Sequence, residues 1–127
     1  MVILDTNVIV EHLRRPAVET TLVQIIKELG SQHLAVAIIS IQELFNGTST
    51  RDQQPRDKLW TTIKPLRVLA YTHEVAQTAG EIMRDLKPPI DFADAAIAAT
   101  AIVNRAELLT LNTKHFRDIP GLKLFKM

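Results

Sequence analysis

The chain opens with the stretch MVILDTN, residues 1–7, in which a short apolar run meets three residues that favour turns and helix caps. Val2 to Leu4 are apolar and partly β-branched, which is typical of a buried strand. Asp5 ends this run, and the residues after it, up to about Leu13, predict a helix. The first segment of the chain therefore predicts a strand, a turn and a helix in that order.

The same alternation continues along the chain. Apolar runs that predict strands recur at 34–39, 66–70, 108–111 and 122–125, with helical patterns between them. The strands are apolar throughout, as a sheet buried on both faces requires. Strands that alternate with helices favour a parallel sheet. We therefore predict an α/β fold with three α/β/α layers: a single domain over residues 1–127 with a central parallel sheet of four to five strands.

Several residues predict where helices begin and end. Pro16 suits the first turn of the second helix, and Gly30 its end. The segment SIQE at 40–43 has the form of a capping box, which predicts that the next helix starts there. Asp91 is a good N-cap for the alanine-rich helix that follows it. The polar segment 48–56 predicts a mobile loop.

The composition excludes several classes of protein. The 127 residues are 46% hydrophobic and 23% charged, which is typical of a globular domain. The absence of cysteine excludes a disulfide scaffold, a thiolate zinc site and a cysteine nucleophile. A formal net charge of +1 is low for a protein that binds nucleic acid by electrostatic attachment alone. Because the sequence shows neither a signal peptide nor an apolar run of membrane-spanning length, we expect a soluble, cytoplasmic protein with no membrane partner.

Acidic residues fall where the predicted strands end or the next helix begins. Asp5, Glu43, Asp91, Asp94 and the amide Asn112 are all placed to reach one edge of a parallel sheet, which is where ligands of such sheets gather. Converging carboxylates repel one another, and a divalent cation is the simplest reason to bring them together. Oxygen ligands without cysteine favour Mg²⁺ or Mn²⁺. Such an ion activates water, which indicates phosphodiester hydrolysis.

Each acid also has a purely structural interpretation. Asp5 and Asp91 can cap helices, Glu43 is the third residue of the capping box, and Asp94 suits the helix dipole. The pattern is also compatible with a catalytically weak or inactive binding or regulatory module on the same fold. A receiver or phosphatase-like domain is a third interpretation. Those domains usually place a lysine at the end of a later strand, where this chain has TLN at 110–112.

Four segments, taken in order, resemble the motifs of PIN-domain ribonucleases. They are DTNVIV at 5–10, SIQEL at 40–44, DAAIAATA at 94–101, and LTLNTKHF at 109–116 followed by IPGL at 119–122. The resemblance covers nearly the whole chain and extends to the VapC-type toxins of bacterial and archaeal toxin–antitoxin pairs. It implies a PIN-like fold and an endoribonuclease, dependent on Mg²⁺ or Mn²⁺, that hydrolyses structured RNA.

By motif match, the resemblance makes Asp5, Glu43 and Asp94 the core catalytic and metal-binding acids. It makes Thr6 or Thr110 a supporting hydroxyl. We expect Asp94 or Glu43 to orient or deprotonate the attacking water, and cleavage by water to leave a 5′-phosphate and a 3′-hydroxyl.

The fourth metal ligand is left open by the sequence. Asn112 stands where the family often has aspartate or asparagine, and it offers an oxygen but no charge. His115 stands where many relatives carry another acid. The sequence therefore leaves open whether the site holds one metal ion or two. Asp91, one helical turn before Asp94, is our own candidate for the missing charge, although it can equally be only a cap.

The resemblance also implies partners. Lys114 and Arg117 follow the predicted site and are candidates for contacts with RNA phosphates. An antitoxin is expected to lie in a groove near the site that the polar loop at 48–54 could gate, and a homodimer is implied. Apolar residues beside the first two motifs are candidates for lining that groove, although they can equally be ordinary core: Val8, Ile9, Leu13, Leu44 and Phe45.

Overall fold

The computed structural model describes residues 1–15 and 18–127, and within these it contains four strands and seven α-helices. The strands are β1 (Val2–Leu4), β2 (Leu34–Ala37), β3 (Arg67–Leu69) and β4 (Glu107–Leu109). The helices are α1 (Thr6–Arg14), α2 (Thr21–Leu29), α3 (Ile38–Asn46), α4 (Gln53–Ile63), α5 (His73–Asp85), α6 (Phe92–Val103) and α7 (Thr113–Phe116). No helix in this part of the chain is both long enough and apolar enough to cross a lipid bilayer.

The four strands form one parallel sheet in the order β3-β2-β1-β4, so their carboxyl ends lie at the same edge. The predicted strand at 122–125 is present only as a single bridge between Leu108 and Leu124. Two backbone hydrogen bonds accompany it: Leu108 N donates to Lys123 O at 2.9 Å, and Phe125 N donates to Leu108 O at 2.8 Å. The sheet therefore has the smaller of the two predicted strand numbers.

Helices cover both faces of the sheet. On one face, Ile3 packs in a core formed with α5 and α6. On the other face, Val2 and Leu4 pack in a core formed with α1, α2 and α4. Successive residues of a strand point to opposite faces, which is why a sheet covered on both sides needs strands that are apolar throughout. The predicted three-layer α/β/α architecture is confirmed.

Helix α6 is the most deeply buried element of its layer. All seven residues from Ala95 to Ala101 are buried. Alanine has a small side chain, so neighbouring elements pack close to this helix. The one hydroxyl in the segment, on Thr100, donates to Ala96 O at 2.7 Å, so its burial leaves no polar group without a partner.

The start of α3 differs from the prediction. The helix begins at Ile38, directly after β2, with Ala37 as an N-cap that provides no side-chain hydrogen bond. The segment 40–43 therefore lies inside the helix, and its interpretation as a capping box is wrong. The apolar run at 34–39 continues from the strand into the helix, and periodicity cannot separate the two over so few residues.

Other predicted boundaries are closer to the structure. Gly30 ends α2 with a φ of 84°, a conformation that favours glycine. Asp91 caps α6, since its Oδ1 accepts a hydrogen bond from Asp94 N at 2.8 Å. Helix α2 begins at Thr21, and Pro16, predicted in its first turn, lies outside the described residues.

The segment predicted as a mobile loop, 48–56, has regular local structure. Thr48–Arg51 forms a turn of 3₁₀-helix, and α4 begins at Gln53. The Thr50 hydroxyl donates to Gly47 O at 2.7 Å and lies 2.9 Å from Phe45 O, so this segment is tied to the end of α3. Polar composition alone did not reveal these local hydrogen bonds.

We expect Ala98→Leu to destabilise the protein by about 1–3 kcal/mol, because a larger side chain does not fit beside the fully buried Ala98 in α6. The matched control is Ala76→Leu, which makes the same change at an exposed position of α5 and should shift stability by about 0.5 kcal/mol at most. Urea unfolding followed by circular dichroism measures both. Equal stability of the two variants would contradict the tight packing of α6.

Candidate active site

A pocket of about 330 Å³ lies at the carboxyl edge of the sheet, where the start of α1 meets α3, α6 and the segment after β4. The three predicted core acids, Asp5, Glu43 and Asp94, all line it. The other residues of its lining are Thr6, Asn7, Val10, Asn112 and His115. Residues that lie far apart in the chain are thus brought to one pocket, as the sheet-edge argument predicted. We call it the acidic pocket.

Asp5 follows β1 and is buried, with only 5% of its surface exposed. Its Oδ1 accepts a hydrogen bond from Thr6 N at 2.8 Å, which caps α1, and its Oδ2 accepts one from the Thr110 hydroxyl at 2.7 Å. Burial raises the pKa of Asp5, and these two hydrogen bonds oppose the increase because they favour the charged form. The capping interpretation and the functional one are therefore both compatible with its contacts.

Glu43 lies on α3 and is held by the other predicted threonine. Thr6 Oγ1 lies 2.6 Å from Glu43 Oε1 and 2.8 Å from the Ser40 hydroxyl. A carboxylate can only accept, so the Thr6 hydroxyl donates to Glu43 and leaves Ser40 to donate in turn. Since no capping box exists, the structural explanation that the sequence offered for Glu43 no longer applies.

Asp94 lies in the first turn of α6, with its side chain 20% exposed. Burial, and then the negative charges of Asp91 and Asp5, raise the pKa of Asp94 to about 6. His115 Nδ1 lies 3.4 Å from Asp94 Oδ2, and a charged imidazole there opposes the increase. A carboxyl group with this pKa can exchange a proton near neutral pH.

The segment after β4 is fastened to the start of α1. Besides donating to Asp5, Thr110 Oγ1 accepts from Asn112 N at 3.0 Å and from Asn7 Nδ2 at 3.4 Å. Asn7 Oδ1 accepts from Leu111 N at 3.3 Å. These bonds hold Asn112 at the acidic pocket even though β4 ends at Leu109, two residues earlier than predicted.

Two positioning residues were not identified from the sequence. Ser40 contacts the hydroxyl that holds Glu43, and Asn7 bonds the loop that carries Asn112. Both belong to motifs that the sequence analysis quoted, so membership of those motifs was the available signal.

Asp91 caps α6 and lines a neighbouring pocket rather than the acidic one, and Lys114 lines that neighbouring pocket too. Arg117 is exposed just after α7.

The donors of the acidic pocket fit a hard cation by chemistry. Three carboxylates and the amide Asn112 are oxygen donors of the kind that Mg²⁺ and Mn²⁺ take. Within residues 1–15 and 18–127, however, no three acidic or histidine side chains already form a set that could hold an ion together. Mg²⁺ usually keeps several water ligands, so carboxylates that are spread around one pocket fit an ion held partly through water.

A groove of about 660 Å³ adjoins the acidic pocket and shares Val10 and Glu43 with it. Two of the predicted groove residues, Leu13 and Leu44, line this groove. Val8 and Ile9 are fully buried in the core, so the ordinary-core interpretation is correct for them. Phe45 packs against Trp60, with ring centroids 5.5 Å apart.

A family profile and the similar proteins both assign the chain to one family. The family profile described as "PIN domain" matches residues 2–122. Ribonuclease VapC10 of Mycobacterium tuberculosis is 32% identical over 126 residues, which cover 97% of this chain and 91% of that protein. Ribonuclease VapC1 of Methanocaldococcus jannaschii is 31% identical over 130 residues, which cover 98% of this chain and 86% of that protein.

Solved structures agree in fold along the whole chain. VapBC2 from Rickettsia felis, crystallised with a DNA fragment from its promoter, superposes with a TM-score of 0.83 at 25% identity and covers 100% of this chain and 99% of its own. VapBC-1 from nontypeable Haemophilus influenzae superposes with a TM-score of 0.79 at 27% identity and covers 99% of this chain and 98% of its own.

We expect Asp94→Asn to stabilise the metal-free protein at neutral pH. The folded state holds a proton on Asp94 up to about pH 6, whereas the unfolded chain releases it near the ordinary pKa of an aspartate, 3.8. Stability is therefore lost as the pH rises from about 4 to about 6, and the variant does not undergo that loss. A pKa raised from 3.8 to about 6 corresponds to at most about 3 kcal/mol.

Urea unfolding at a series of pH values measures this difference. The gain should be complete above about pH 7 and disappear below about pH 4. The control is Asp85→Asn, which should bring no gain because Arg84 beside it lowers the pKa of the Asp85 carboxyl. A pH-independent gain for Asp94→Asn would argue against charge as its cause.

Proposed function

The chain belongs to the PIN-domain family, and from this premise we propose that it is a metal-dependent endoribonuclease that acts on structured RNA as the toxin of a toxin–antitoxin pair. The observation that carries the proposal is the meeting of Asp5, Glu43 and Asp94 at the acidic pocket. The names of the relatives support it, since they are called ribonucleases and since the superposed structures are VapBC assemblies.

Asp5, Glu43 and Asp94 would hold one Mg²⁺ or Mn²⁺, directly or through water, and Asn112 and Asp91 remain candidates for a further ligand. When bound, the ion supplies a water of lowered pKa and a positive charge for the phosphoryl group. Thr110 and Thr6 keep Asp5 and Glu43 in place through their hydroxyls.

Asp94 or Glu43 would orient or deprotonate the attacking water, since both line the acidic pocket. A bound cation lowers the pKa of a carboxyl group beside it, so both side chains would be charged and able to accept hydrogen bonds from water when the ion is present. Attack of water at phosphorus, rather than of the ribose 2′-hydroxyl, leaves a 5′-phosphate and a 3′-hydroxyl.

A structured RNA suits the composition of the chain. Aromatic residues are 5% of the sequence, with one tryptophan and one tyrosine, so a platform for stacking many unpaired bases is disfavoured. Recognition would then depend on shape and on phosphate contacts, with Lys114 and Arg117 beside the site as the donors.

The groove beside Glu43 is suited to the antitoxin. Leu13 and Leu44 are among its apolar residues, and Arg14 and Lys58, which also line it, provide positive charge. An amphipathic helix with acidic residues matches such a surface. Because the groove shares Glu43 with the acidic pocket, a segment bound there would reach the catalytic acids.

An exposed apolar face is suited to a second copy of the chain, as the implied homodimer requires. Ile38 is 42% exposed, Tyr71 39% and Phe92 58%, and these residues line one surface pocket. Phe92 and Tyr71 stack with their centroids 6.4 Å apart. Exposed apolar residues gathered in this way mark interaction surfaces.

A non-catalytic binding module remains the second candidate. The observation that favours it is that, in the part of the chain that the structure describes, the acids do not already form a three-ligand metal set. The two candidates differ in whether Mn²⁺ binds at the acidic pocket.

We expect Asp5→Asn and Glu43→Gln to reduce RNA cleavage by about a hundredfold or more, because each removes a charged metal ligand. Cleavage of purified tRNA and rRNA in Mg²⁺, with the ends of the products identified, measures the activity. The control is Glu81→Gln, which removes one exposed carboxylate from α5 and should leave the rate unchanged.

Mn²⁺ should also raise the unfolding temperature of the wild-type protein, and it should raise that of Asp5→Asn or Glu43→Gln less. If an Asp5→Asn protein that is free of contaminating nuclease cleaved RNA at the wild-type rate, the proposed mechanism would be excluded. A wild-type protein that neither binds Mn²⁺ nor cleaves RNA would favour the binding module instead.

Phe92→Asp should weaken self-association, because it places a charge on the exposed apolar face. Sedimentation equilibrium measures the dimer, which should dissociate at concentrations at which the wild type stays paired. Trp60→Asp is the control, since Trp60 is also an exposed aromatic residue, at 54%, but lies on α4. A Phe92→Asp protein that remains dimeric would show that the copies meet elsewhere.

A further inference from the structure

A second pocket adjoins the acidic pocket and shares Asp94 and His115 with it. Its volume is about 310 Å³, at the small end of the range for ligand pockets. We propose that this second pocket binds one nucleoside of the RNA, next to the phosphodiester that is cleaved, and that Lys87 and Lys114 contact the phosphates beside it. The proposal rests on the proposed function and adds to it a nucleoside subsite and a new RNA-binding residue, Lys87.

The apolar wall of the second pocket suits a nucleobase. It is formed by the loop between α5 and α6, with Leu86, Pro88, Pro89 and Ile90. Leu86 and Ile90 are half-buried and pack against the core of that layer, so the wall is held in place before a ligand arrives. Bases taken out of their stack are held against apolar and aromatic side chains in just this way.

The charges of the second pocket suit a nucleotide better than a free anion. Lys87 and Lys114 are exposed, and neither forms a salt bridge with any residue in 1–15 or 18–127, so both are available to phosphates. Three carboxylates, those of Asp91, Asp94 and Asp118, line the same pocket and would repel an isolated phosphate. A nucleotide offers base N–H groups for a carboxylate to accept and phosphates for the lysines to contact.

The position of the second pocket follows from the two residues that the pockets share, Asp94 and His115. Asp94 is one of the acids assigned to the ion that meets the scissile phosphate. An RNA chain whose phosphate lies at that acid must place an adjoining nucleoside in a neighbouring space. The second pocket is such a space, because it begins on the other side of Asp94 and His115.

The lysines are tested by Lys87→Gln and Lys114→Gln. The control is Lys64→Gln, which removes one exposed positive charge at the end of α4, from a residue that does not line the second pocket. The substrate is an RNA fragment that the wild-type protein cleaves. We expect each pocket variant to raise KM by about three- to tenfold with kcat changed by less than about twofold. The slope of log(kcat/KM) against log salt should become shallower by about 0.7 to 0.9 per lysine, and the control should keep the wild-type slope.

The nucleoside is tested with abasic sites placed on either side of the cut. Loss of the base on one side should lower kcat/KM of the wild type by about tenfold, and loss on the other side should have little effect. Equal effects on the two sides would overturn the nucleoside pocket.

The failures of the two proposals are distinguishable. A wild-type protein that cleaves no RNA would refute the proposed function itself. Cleavage by the wild type, with all three glutamine variants behaving alike, would refute only the second pocket. Normal KM values combined with weaker binding of an antitoxin by Lys87→Gln and Lys114→Gln would assign the second pocket to the protein partner and also overturn the inference.

Discussion

The buried carboxylate of Asp5 holds three elements of the fold together and also lines the acidic pocket. It ends β1, caps α1 through Thr6 N, and accepts a hydrogen bond from Thr110 beyond β4. Burying an ionised carboxylate costs free energy unless it is hydrogen-bonded, and the raised pKa of Asp5 shows that two hydrogen bonds do not offset the whole cost. In the proposed function, a bound cation would offset the remaining cost, so the metal-free protein would be less stable at the edge of the sheet where the site needs negative charge.

Two of the acids connect the acidic pocket with the two surfaces beside it, the groove and the second pocket. Glu43 belongs to both the acidic pocket and the groove beside α3, and Asp94 belongs to both the acidic pocket and the second pocket beside the loop at 86–91. A partner bound in the groove would therefore contact Glu43, which also lines the acidic pocket where RNA is proposed to bind. A partner bound in the groove would thus act on catalysis directly at the site, without a change in the fold.

Much of the architecture could be predicted because its signals are local or repeated. Apolar runs without alternation, such as Val2 to Leu4, indicate a sheet covered on both faces, and the structure contains one. The caps at Gly30 and Asp91 depend only on the conformation of a few neighbouring residues and were predicted correctly. The start of α3 was not, because Ile38 and Ile39 suit a strand and a helix equally, and only packing decides between them.

By itself, the sequence determined the layer order, the parallel sheet and the gathering of acids at one edge of that sheet, since these follow from patterns that extend over the whole chain. The tertiary structure alone decided which groups meet. Thr6 holds Glu43 across 37 residues, Val8 and Ile9 face the core instead of a groove, and Asp91 turns away from the acidic pocket. The physical reason is that a side chain's partner depends on strand order and helix rotation, which are fixed only when the two cores pack together.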